Sequence, residues 1–233
     1  MASIKHIAFV IGISVVLIAL IGWWVNSRNQ APELLLDKNV ALEGPLSPKE
    51  LKTNNPVITN TMNRIATMKT NKGDIKIELF EDQMPITTGN FVTLSEKGFY
   101  NGIKFHRVIP NFMIQAGDPN TKGTDLGSYG SGGPGYTVQD EFVAGPLLTN
   151  VRGTIAMANT GQPNSGGSQF FINTADNTGL DFDKEPLASK HPVFGRVIAG
   201  MDVVDDIGSV KTAGAPSDRP LEPVIIESIT IGN

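Results

Sequence analysis

Hydrophobic and polar positions divide the chain into stretches of different character. From Ile7 to Val25 the sequence reads IAFVIGISVVLIALIGWWV, a run of 19 residues without a charge. As a helix this run spans about 28 Å at about 1.5 Å per residue, close to the thickness of a bilayer core. Trp23 and Trp24 close it, where amphipathic rings favour the headgroup region. The run exceeds the about 7–15 residues of a signal h-region, and it ends in Trp-Trp-Val-Asn-Ser-Arg rather than Ala-x-Ala. A retained N-terminal membrane anchor over residues 1–25, with a transmembrane helix at 7–25, is therefore expected; cleavage as a signal peptide is the alternative. Lys5 before the run and Arg28 after it orient it only weakly, and an extracytoplasmic body is the expected outcome. Residues 26–61 lose all periodicity and hold Pro32, Pro45, Pro48 and Pro56 among many Asn and Thr, the composition of a partly extended linker.

From Met62 the period changes to two. Ile75-Lys76-Ile77-Glu78-Leu79 alternates apolar and polar as a half-buried strand does, and Thr70–Asp74 turns it back on Ile65–Lys69 in a hairpin. Val193–Ile198 and Val224–Ile231 are two further strand signals. Helical signals are few. Pro85 suits a first helical position and Gly98 a position just past the end, with Phe91, Leu94 and Ile86 as the apolar stripe. Met201–Ile207 forms a second candidate with Asp202, Asp205 and Asp206 outward. Many short strands with two short helices predict a mainly β domain over residues 62–233, a closed barrel rather than a layered βαβ fold.

Composition removes several functions. Lys and Arg number 19 against 23 Asp and Glu, a net charge of −4, so no basic stripe is available to neutralise phosphates and nucleic acid is not an expected partner. Cysteine is absent, which excludes disulfides, thiolate nucleophiles and Cys-ligated zinc. The histidines His6, His106 and His191 are too scattered for a metal site. Gly130-Ser131-Gly132-Gly133-Pro134-Gly135 matches G-x-G-x-x-G by letter. A dinucleotide site needs that string to open a helix, whereas Tyr136-Thr137-Val138 follows as a strand-like segment, so a surface loop is expected.

Two stretches carry the candidate chemistry: Phe105-His106-Arg107-Val108-Ile109-Pro110-Asn111-Phe112-Met113-Ile114-Gln115-Ala116-Gly117-Asp118, and Ile155–Asn159 continuing through Gly166–Asn173. Taken singly, Phe112, Met113, Phe170 and Phe171 read as core, and Arg107 as a solvated charge. Together these stretches closely resemble the two signature regions of the cyclophilin family of peptidyl-prolyl isomerases. The resemblance extends to Glu96–Gly102, Asp140–Phe142, His191–Val197 and Gly200–Val204, and so covers about Ile65 to Ile231.

That resemblance implies a closed eight-stranded antiparallel β-barrel capped by two short α-helices, with a groove on its outer surface. It implies that Arg107 is the catalytic residue and that Phe112, Met113, Phe171 and Leu180 form an apolar pocket for proline. Gln115, Asn159 and Gln169 would hold the peptide backbone, with Ala158 beside them and His106 and His191 lining the groove. Phe112, Met113 and Phe171 are expected to be partly exposed in the free protein, with Phe170 on the opposite face of its strand. No cofactor or metal is implied. The implied partners are proline-containing polypeptides, with the body a monomeric soluble domain. Three positions depart from the family pattern: Ala116 stands where Gly is frequent, the Gly161–Gly167 loop is one residue longer, and Gly179 stands where an aromatic residue usually precedes the groove leucine. The same groove, without turnover, would make a proline-binding chaperone or scaffold module; a barrel carrying a small apolar ligand inside is the third alternative.

Overall fold

The computed structural model describes residues 63–187 and 190–232, so the apolar run 7–25 and the linker 26–61 lie outside the described residues. No helix among the described residues is long and apolar enough to cross a membrane. The strands are β1 (Ile65–Thr70), β2 (Gly73–Leu79), β3 (Arg107–Ile109), β4 (Met113–Ala116), β5 (Thr154–Met157), β6 (Phe170–Asn173), β7 (Val193–Ala199) and β8 (Ile226–Gly232). Two helices accompany them, α1 (Pro85–Glu96) and α2 (Met201–Gly208). The strands form one antiparallel sheet in the order β3-β4-β6-β5-β7-β2-β1-β8.

The β1–β2 hairpin follows from local chemistry. Thr70 pairs with Gly73 across the turn. The Thr70 hydroxyl accepts from the Lys72 amide at 3.0 Å and donates to the Gly73 carbonyl at 2.7 Å. Alternation then sends Ala66, Met68, Ile75, Ile77 and Leu79 to one face, all fully buried. Opposite them lie Phe91 of α1, Phe170 of β6, Phe194 of β7 and Tyr100, with ring centroids 5.3–5.6 Å from one another where they touch. At Gly195 on β7 a Cβ would lie 2.5 Å from the Glu78 carbonyl oxygen, so only glycine allows β7 to approach β2 this closely.

The sheet curls, but its ladder does not close. β3 and β8 are the two ends of the strand order. They approach through the segments that precede them: Gly102 donates to Ile226 at 2.8 Å, Phe105 to Val224 at 2.9 Å, and Lys104 forms an isolated bridge with Ile225. Instead of the closed barrel expected from the sequence, the domain is a half-barrel of eight strands. The reason lies at β3, where the Val108 amide donates to the carbonyl of Asp218 at 2.8 Å, so a loop takes the edge that a closing strand would need. Tyr136–Val138, strand-like by sequence, forms only a single bridge from Val138 to Gly166.

Helix α1 begins at Pro85 and ends with Gly98 at φ +66, the left-handed conformation that suits glycine there. Phe91 and Leu94 face the core as the spacing predicts, but Ile86 is 40% exposed and Thr87 and Thr88 are buried in its stead. The Thr88 hydroxyl is satisfied by the Met84 carbonyl at 2.6 Å, which makes it compatible with the interior. Met84 offers no side-chain cap; Glu141, itself buried, accepts from the Ile86 and Thr87 amides at 3.0 and 2.8 Å. A carboxylate at the positive end of a helix satisfies two orphan donors at once. Glu141→Ala is therefore expected to lower unfolding free energy by about 1–2 kcal/mol, measured by urea denaturation.

Candidate active site

Strand register brings the signature residues into one row. Arg107 of β3 stands opposite Gln115 of β4, Gln115 opposite Phe171 of β6, and Phe171 opposite Ala156 of β5. Directly opposed residues in antiparallel strands share a face, so Arg107, Gln115 and Phe171 project to the same side of the sheet, with Met113 two positions along β4. The intervening residues Val108, Ile114, Phe170 and Ile172 are fully buried on the core side. The expected opposition of Phe170 and Phe171 is observed. Phe170 packs edge-on against Phe91 at 5.6 Å, whereas Phe171 meets His191 edge-on at 5.4 Å.

Phe112 sits in the turn between β3 and β4, after Asn111 at φ +57. Its carbonyl accepts from the Thr174 amide at 3.0 Å and the Asn177 side chain at 2.7 Å, which fixes the turn against the end of β6. Phe112 is half-buried, but Met113 and Phe171 are only 2% and 5% exposed. Partial exposure therefore holds for Phe112 and fails for the other two. Alternation along a strand fixes which face a side chain takes and not what covers it; here His191, from a distant segment, packs over Phe171. Leu180, half-buried on a short 3₁₀ turn, is tied to the same segment by the His191 amide, which donates to the Leu180 carbonyl at 3.0 Å. A Cβ on Gly179 would rest 3.5 Å from Pro186 Cδ, so Pro186 faces the space of the aromatic residue missing at 179.

Beside the row lies an open cavity of about 510 Å³, bounded by Gln115, Ala158, Asn159 and Gln169 and, across from them, by Gly130–Pro134 and Tyr136. The Gly-rich loop, expected only as surface, is one wall of this cavity. Gln169 Nε2 donates to the carbonyls of Gly130 and Gly132, both at 2.9 Å, and Gln115 Nε2 donates to Gln169 Oε1 at 3.1 Å. The amide of Gly130 donates to the buried carboxylate of Asp118. Gln169 thus uses its donors to hold the loop, and Gln115 Oε1, the side-chain oxygen, accepts from no donor among the described residues. Asn159 is similarly engaged: its Nδ2 donates to the Lys190 carbonyl at 2.6 Å, and its Oδ1 accepts from the Gly161 amide at 3.0 Å.

Both histidines are held below the ordinary imidazole range. For His106 the main cause is burial, reinforced by Arg107 and opposed by Asp118; its Nδ1 has no hydrogen-bond partner among the described residues. His191 is lowered by burial, opposed by its hydrogen bond to the Met157 carbonyl at 3.1 Å. That carbonyl requires a donor, so Nδ1 carries the proton of the neutral ring. Neutral rings at pH 7 leave Arg107 as the cation of the row. Its side chain is 42% exposed, and its Nε lies 4.0 Å from Asp218 Oδ2. Asp218 was not anticipated from sequence: it sits in a Pro/Gly/Ser turn without periodicity, and nothing local links it to Arg107.

A family model for "Cyclophilin type peptidyl-prolyl cis-trans isomerase/CLD" matches residues 65–231. A peptidyl-prolyl cis-trans isomerase of Acinetobacter baylyi is 44% identical over 171 residues, covering 72% of this chain and 86% of that protein. Peptidyl-prolyl cis-trans isomerase B of Escherichia coli is 44% identical over 172 residues, covering 72% of this chain and 99% of that protein. A cyclophilin type isomerase of Cryptosporidium parvum, solved in the presence of the dipeptide Ala-Pro, aligns with a TM-score of 0.61 at 32% identity, over 72% of this chain and 99% of its own. With the signature residues gathered on one face of such a half-barrel, the chain belongs to the cyclophilin type peptidyl-prolyl cis-trans isomerases.

Proposed function

We propose that this protein accelerates cis/trans isomerisation of X–Pro bonds in polypeptides, with Arg107 as the catalytic residue. The observation that carries the reading is the row of Arg107, Gln115 and Phe171 beside Phe112 and Met113, a cation and hydrogen-bonding amide next to an apolar surface. The solved relative prepared with Ala-Pro supports a proline-containing peptide as substrate.

The chemistry asks little of the site. Partial double-bond character gives the peptide bond a rotational barrier of about 18–20 kcal/mol, and unaided X–Pro isomerisation takes tens to hundreds of seconds. At the twisted midpoint the nitrogen lone pair leaves conjugation and becomes a better hydrogen-bond acceptor. A guanidinium aimed at that nitrogen therefore stabilises the transition state more than either planar ground state. Arginine suits the task because it stays charged and presents a stiff fork of donors. Phe112, Met113, Phe171 and Leu180 hold the proline ring, and the side-chain oxygen of Gln115 accepts from the substrate backbone. His106 and His191, both neutral, shape the groove without competing charge. A protease-coupled assay on a short proline peptide tests the reading: rapid conversion of the slow phase is expected, and binding without acceleration would identify a proline-binding module instead.

The reading extends to architecture and place. The approach of segment 102–105 to segment 224–226 supports a half-barrel whose two end strands are tied through backbone contacts rather than through a β3–β8 ladder. Residues 7–25 act as a single-pass anchor, residues 26–61 as its linker, and the body from residue 62 works as a monomer on the extracytoplasmic side. The support is the uncharged run ending in Trp23 and Trp24. Full-length protein is expected to stay with membranes through alkaline carbonate extraction. A mature N-terminus near residue 27 would overturn the anchor.

A further inference from the structure

We infer that Asp218 is a positioning residue for Arg107, holding the guanidinium by its Nε edge so that its terminal NH₂ groups face the substrate. The inference rests on the catalytic reading of Arg107 and adds the element that makes it effective.

Arg107 lies on β3, a three-residue strand at the end of the sheet, where a loop rather than a paired strand covers one side. Among the described residues its side chain makes no hydrogen bond, and Asp218 is its ion-pair partner, with Oδ2 4.0 Å from Nε. The placement of Asp218 is fixed by the backbone. Its carbonyl accepts from Val108, the residue after Arg107, at 2.8 Å, and its amide donates to Gly214 at 2.9 Å. The turn is clamped further out, where Ala213 donates to Arg219 at 2.8 Å and Leu221 to Lys211 at 2.9 Å. Asp218 also adopts φ +47, a left-handed conformation that Asp and Asn tolerate better than other residues with a side chain. A loop held this firmly presents one carboxylate to the inner edge of the guanidinium. The Asp218 side chain is 19% exposed, which limits screening by water.

A long side chain at a sheet edge otherwise samples several rotamers, and only some direct a donor at the twisted amide nitrogen. Fixing Nε restricts them before substrate arrives, which raises the rate of the rotation step without adding contact to the peptide.

The test is Asp218→Asn, which keeps the size and the left-handed tolerance of the residue and removes its charge. Because a partly exposed ion pair contributes little, kcat is expected to fall about three- to fivefold with KM unchanged. The thermal midpoint should stay at the wild-type value, and the Arg107 Nε–H resonance should shift in the NMR spectrum. Unchanged kcat, a kcat loss with an unmoved Nε–H resonance, or a loss accompanied by a fall in thermal midpoint would each overturn the inference. Arg107→Ala, measured in parallel, separates the two ideas. If it retains activity the catalytic reading itself fails; if it is inactive while Asp218→Asn is normal, only the positioning role is lost.

Discussion

Arg107→Ala is expected to lower kcat/KM at least about tenfold while the domain stays folded. A tenfold loss corresponds to about 1.4 kcal/mol of transition-state stabilisation, the lower end of what a hydrogen bond to a charged group contributes. Folding should be nearly unaffected. The Arg107 side chain is 42% exposed and its ion pair with Asp218 is long, and the β3–β4 pairing is made by backbone groups that alanine retains. Thermal melts and initial rates on one preparation suffice. Wild-type rates would remove Arg107 from the mechanism, and a collapsed fold would show its side chain to be structural.

The second large effect separates the two faces of the sheet. Phe170 is fully buried, against Phe91 and Tyr100. Truncation there leaves a cavity in a packed interior and is expected to cost about 3–5 kcal/mol of stability, a large share of the about 5–15 kcal/mol that holds a domain together. Phe112 is half-buried at a turn. Phe112→Ala should cost clearly less stability yet weaken catalysis strongly, because the proline ring loses its contact and the bond is no longer held beside Arg107. Met113 and Phe171 are poorer probes, since both are buried and their truncation would confound folding with turnover. Equal stability losses at Phe112 and Phe170, or a greater catalytic loss at Phe170, would mean the groove face is assigned to the wrong side.

Local chemistry was legible in the sequence and long-range closure was not. The period of two across Ile75–Leu79, the turn at Thr70–Gly73, and Pro85 and Gly98 around α1 each express physics within a few residues, and each appears in the structure. The Phe170–Phe171 split follows from the same alternation. What escaped depends on partners far along the chain. The half-barrel ends at β3 because the Val108 amide finds Asp218. Phe171 is buried because His191 arrives from a later segment, and the Gly-rich loop is ordered by Gln169. Ile86 fits a helical stripe by spacing, but the tertiary surface accepts Thr87 and Thr88. The resemblance supplied the site where spacing alone could not, since Arg107, Gln115 and Phe171 meet only through pairing of β3, β4 and β6.

The strand order also constrains how the protein can be made. Of the described strands β1 is the first to leave the ribosome and β8 the last, yet β1 pairs along its length with β8, from Ile65 opposite Gly232 to Thr70 opposite Ile226. Until translation has passed Gly232, the β1–β2 hairpin carries an open edge with unpaired amides and carbonyls, a template for pairing with another chain. The domain therefore completes its sheet only after synthesis of β8. During that interval the open edge is a point of vulnerability to pairing with neighbouring polypeptides.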